Sequence, residues 1–62
     1  MPHLNTEVGR MLIFVEQRLQ TVKDRVIAAY AAGATYQQLR RDMAELNKLK
    51  DMVPVLESAL AN

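Results

Sequence analysis

The apolar residues in the first half of the chain recur with a helical period. Val8, Leu12, Val15, Leu19, Val22, Val26 and Ala29 are separated alternately by four and three residues. That spacing lines side chains along one stripe of an α-helix, and its repetition makes a coiled-coil seam. No proline interrupts Leu4 to Ala32, so the pattern predicts one helix over residues 5–32. Asn5 and Thr6 carry the side-chain oxygens of N-caps, and Gly9 costs the first turns up to about 1 kcal/mol relative to alanine. The start is therefore expected to fray or to begin a turn late.

Gly33 is where this helix should stop, because glycine takes the left-handed conformation after a last helical turn without a Cβ penalty. Thr35 offers a new N-cap, and Gln38 three residues on completes a capping-box pattern. A turn confined to residues 33–34 forces the chain back on itself as an αα-hairpin. The alanines at 28, 29, 31, 32 and 34 would let the backbones approach closely.

The second helix is predicted over residues 35–61, with Tyr36, Leu39, Met43, Leu46, Leu49, Val53, Leu56 and Leu60 on its apolar stripe. Two successive three-residue steps around Leu46 are a slip that should overwind the local geometry. Pro54 removes a backbone donor and clashes one turn back. Either the helix kinks at Lys50 to Val53, or a separate short helix begins at Asp51. The kink is favoured, because the apolar spacing continues in register through Leu56 and Leu60. The fold class expected is all-α, a single helical-hairpin domain over 1–62 with its second helix kinked near Pro54.

Each arm would be roughly 40 Å long at about 1.5 Å per residue, and equal arms with opposed seams describe half of a four-helix bundle. The chain has 62 residues, no cysteine and one histidine, His3. Disulfides and thiolate metal sites are thus excluded as staples for so small a core, and association with another chain remains. A homo-oligomer is expected, with a dimer favoured. Met11, Ile13, Phe14, Ile27 and Tyr30 fall beside or opposite the seam of the first helix. They are the candidate partner-binding residues, for a second copy or for a different protein. The alternative is that they close an internal core against the segment after Pro54.

Candidate chemistry is sparse. The only serine is Ser58 and the only imidazole is His3, so no nucleophile and base pair is available. Asp42 and Glu45 are interleaved with Arg41 and Lys48, the pattern of a solvated helix face. No phosphate loop, zinc helix or calcium loop occurs. No catalytic, cofactor-binding or metal-ligating residue is assigned, and the chain is expected not to be an enzyme. The formal net charge is +1 and half of the residues are hydrophobic, a balance that declares no partner by bulk charge. The longest strongly apolar run, Met11 to Val15, is far short of a membrane span. With no secretory pattern at the start, a cytoplasmic protein is expected, suited by size to a phage or prokaryotic accessory role.

Arg40, Arg41, Lys48 and Lys50 concentrate positive charge on the second helix and are the candidate nucleic-acid contacts of an alternative reading. Around them, Tyr30 to Arg41 resembles the first turn of some helix-turn-helix proteins, with small residues, a glycine, a capping threonine and then an apolar anchor. In length and layout the chain also resembles the dimeric plasmid copy-control RNA-binding hairpins, which implies a nucleic-acid-binding regulator but carries over no functional residue. The leading expectation is a non-enzymatic protein–protein interaction module, a small adaptor, inhibitor or assembly component.

Overall fold

A computed structural model describes residues 2–61, with side chains from Thr6 onward, so the side chains of His3 and Asn5 lie outside the described residues. Two helices make up the described chain: α1, Pro2–Ala31, and α2, Tyr36–Ala61. α1 begins earlier than the seam suggests. Proline suits a first helical position, where its fixed φ is already helical and its missing N–H would have had no partner. Asn5 and Thr6 accordingly lie inside the helix rather than capping it.

The turn is built as the sequence pattern requires. Gly33 has φ of 93°, its N–H donates to the Tyr30 carbonyl at 3.0 Å, and the Ala34 N–H donates to the Ala29 carbonyl at 2.9 Å. Those two bonds form a Schellman motif and satisfy carbonyls that the helix end would otherwise orphan. On the far side, the Thr35 N–H donates to Gln38 Oε1 at 2.8 Å and the Gln38 N–H to Thr35 Oγ1 at 3.3 Å. The capping box thus starts α2 within two residues of the end of the first helix's cap.

α2 runs unbroken through Pro54 to Ala61, so no separate helix begins at Asp51. The helices pack antiparallel into a rod of 48 × 14 × 13 Å. Its core is one seam: Val15, Val22, Leu49 and Leu56 are buried, with Val8, Leu12, Leu19, Val26, Leu46, Met52 and Val53 packed half-buried against them. Leu39 is buried near the turn. The α1 stripe read from spacing is therefore the observed one.

On α2 the stripe differs in two places. Tyr36 is 76% exposed and stands outside the seam. Asp42 occupies the seam position after Leu39, so that Leu39, Asp42, Leu46, Leu49, Val53, Leu56 and Leu60 alternate by three and four with no slip. The Asp42 carboxyl group is held at this edge of the core because Arg25 of α1 reaches it with two hydrogen bonds, of 2.8 and 3.0 Å.

Candidate interaction surface

The large apolar side chains left outside the core fall on two opposite flanks of the rod. At the full exposure of a helix surface, one residue advances the direction by about 100°, so Met11 and Ile27 point about 160° apart around α1. On the first flank, Met11 and Phe14 line a groove of about 660 Å³ with Arg18, Glu45, Lys48 and Met52. Met52 and Lys48 continue this surface to Val55, which is 67% exposed. On the second flank, nearer the turn, Ile27 and Tyr30 line a groove of about 370 Å³ with Tyr36 and Met43, and no charged residue borders it.

Of the five candidate partner-binding residues, the structure brings Met11 and Phe14 together and, separately, Ile27 and Tyr30. Ile13 lines neither groove; it lies on the second flank by helical position, toward the open end of the hairpin. All five are at least half exposed, from 50% at Met11 to 74% at Tyr30. The segment after Pro54 does not cover them, which overturns the alternative of an internal core.

Charge is distributed unequally between the flanks. Beside the first groove, the Arg18 guanidinium grips Glu45 through Nε at 2.7 Å and through a second nitrogen at 3.1 Å, while Arg25 bridges Asp42 and lies 3.7 Å from Glu45. Hydrogen bonding from Arg18 holds the Glu45 carboxyl below its ordinary value, and the same bond raises the Arg18 guanidinium. Sequence reasoning treated Asp42 and Glu45 as part of a solvated face and missed that, with Arg18 and Arg25, they clamp the two helices. The available signal was the pair of arginines seven residues apart on α1 facing two acids on α2. On the second flank, Lys23 and Lys50 border a small depression with Leu19 and Leu46, and no acidic residue shares it. Among the described residues no ion pair includes Lys23, Lys50 or Glu16.

The four candidate nucleic-acid contacts do not share a face. Lys48 borders the first groove and Lys50 the second flank, and the two point about 160° apart around α2. Arg41 lies in line with Lys48 seven residues on, whereas Arg40 points about 80° from each of Lys48 and Lys50, away from the seam. The unbroken α2 also leaves no short second helix and following recognition helix of the kind a helix-turn-helix needs. Among the described residues no three His, Cys, Asp or Glu side chains come together as a metal site requires, and no helix is long and apolar enough to cross a membrane.

The fold and these surfaces define a class, the two-helix all-α hairpin with unpaired apolar flanks. No protein-family model, curated protein or solved structure matches this chain.

Proposed function

We propose that the chain is a non-enzymatic protein–protein interaction module. Two copies self-associate through one flank into a four-helix bundle, and the other flank meets a protein target, the whole acting as a small adaptor, inhibitor or assembly component. A cysteine-free module of this size suits the cytoplasm of a prokaryotic or phage-infected cell. A bend in α2 at Pro54, which offers no N–H to the Lys50 carbonyl, would fit the longer helix around a bundle.

One observation carries this reading. The hairpin exposes 5055 Å², whereas a compact monomer of this mass exposes about 4,000 Å². The surplus of about 1,000 Å² is comparable with the roughly 800 Å² that each partner contributes to a stable interface. Large apolar residues contribute to it: Phe14, Ile27, Tyr30, Tyr36 and Val55 are each exposed by more than half. Aromatic side chains and methionine, gathered in the uncharged groove of Ile27, Tyr30, Tyr36 and Met43, are the composition of interface centres. The divided placement of Arg40, Arg41, Lys48 and Lys50 gives the nucleic-acid alternative no comparable focus.

Light scattering over a concentration series, with circular dichroism on the same samples, tests it. A mass of two chains at micromolar concentration is expected, with full helicity. A folded single chain over the whole range would overturn the self-association.

A further inference from the structure

Beside the core seam of α1 runs a mixed stripe, apolar at Ile13, Ile27 and Tyr30 and polar at Glu16, Gln20 and Lys23. Shifting each position by one gives a second four-three repeat, beginning at Gly9 and ending at Tyr30. It is rotated about 100° around the helix. A helix in a square four-helix bundle touches two neighbours about a right angle apart. The first repeat faces α2, which leaves the second for a neighbour outside the hairpin.

Read backward, the second repeat matches itself. Ile13 comes opposite Ile27, and Glu16 comes opposite Lys23. Tyr30, the largest side chain on the stripe, comes opposite Gly9, the smallest, and Gln20 meets its own counterpart. The geometry points to a second copy of this chain as the occupant of the Ile27, Tyr30, Tyr36 and Met43 flank, packed antiparallel with α1 against α1 and α2 against α2. This rests on the self-association proposed above and names its surface.

Three observations support that occupant. A Cβ built on Gly9 would meet nothing within 4 Å, so no neighbour in the hairpin requires a glycine there, in mid-helix where it weakens the chain. A tyrosine ring arriving from the second copy does require it. Ile13 and Ile27 are each 59% exposed, and the pairing covers both twice. Lys23 and Lys50 border a depression with no acid in it, and Glu16 of the second copy brings the missing negative charge.

An isologous contact of this kind closes with two chains, and each pair above occurs twice. Met11 and Phe14, on the opposite flank, remain uncovered. Self-pairing on both flanks would instead propagate into larger assemblies.

Charge reversal with rescue tests the surface, read by light scattering and circular dichroism. The unchanged chain is expected to be dimeric. Glu16→Lys alone and Lys23→Glu alone put like charges opposite each other twice per dimer, and each should weaken association about a hundredfold without loss of helix. The double variant should be dimeric again. Gly9→Leu should keep or raise helicity and weaken association about tenfold by filling the tyrosine's seat. Single variants as tight as the unchanged chain, or a double variant no tighter than the singles, would overturn this surface while leaving self-association standing. A monomeric unchanged chain would overturn both.

Discussion

On the flank that carries Met11 and Phe14, the charges nearest the seam are joined across the hairpin, Arg18 to Glu45 and Arg25 to Asp42. On the flank that carries Ile27 and Tyr30, Glu16, Lys23 and Lys50 stand in no ion pair among the described residues. Both flanks have an apolar groove, so apolarity alone does not separate their roles. The difference lies in what the charges beside each groove still need. The first flank has joined the charges nearest its seam within the chain, and Arg10 and Lys48 beside its groove are cations with no acid left there to reverse onto. The second offers apolar surface and unmatched charge in a pattern that its own reverse completes. A hairpin's bonding inside thus limits what it can recognise outside.

The comparison breaks first at the core that holds both flanks in place. Leu49→Ala should destabilise the fold by about 2–4 kcal/mol, seen as a lower melting temperature, because a buried leucine truncated to alanine leaves a cavity. Both flanks should lose their function together. A sharper separation comes from one apolar-to-acid change on each side. Ile27→Asp should dissociate the dimer, shifting the scattered mass to one chain, while Phe14→Asp leaves mass and helicity unchanged and abolishes capture of the protein target. The opposite assignment of effects would exchange the roles of the flanks.

Smaller effects test the frame of the hairpin. Thr35→Ala removes the acceptor for the Gln38 N–H, and loss of an N-cap should cost about 1 kcal/mol in thermal unfolding. Gly33→Ala forces a side chain into the left-handed region and should cost about 1 kcal/mol as well. The smallest effect is that of pH. Glu45 has its carboxyl held below the ordinary value of 4.5 by the Arg18 hydrogen bond. Folding takes up no proton there above that value, so the contribution is fully present at neutral pH and is lost as the pH falls through the lowered value. Acid melts should show this slope, and Glu45→Gln should flatten it.

Much of the frame was legible in the sequence because it depends on local chemistry. The seam of α1, the left-handed Gly33 and the Thr35 and Gln38 box each follow from side chains within a few residues of one another. The α2 stripe was misread at Tyr36 and Asp42 for a physical reason. A charged residue in a seam looks like a break until its partner is known, and Arg25 is far away in sequence. The candidate surface was half legible. Spacing identified Met11, Ile13, Phe14, Ile27 and Tyr30 as outside the seam. It did not divide them, since which side of the rod each joins depends on where α2 lies. Gly9 was read only as a weakness in the helix, and its open surroundings appear once the hairpin is closed.

The most direct test of which flank joins the two copies is a distance between them. The chain has no cysteine, so a single spin label can be placed through Gln20→Cys or through Phe14→Cys and its separation from its own counterpart measured by pulsed electron paramagnetic resonance. Labels at position 20 should approach closely across the twofold axis, and labels at position 14 should lie far apart on outer faces. Close labels at 14 and distant ones at 20 would contradict the account.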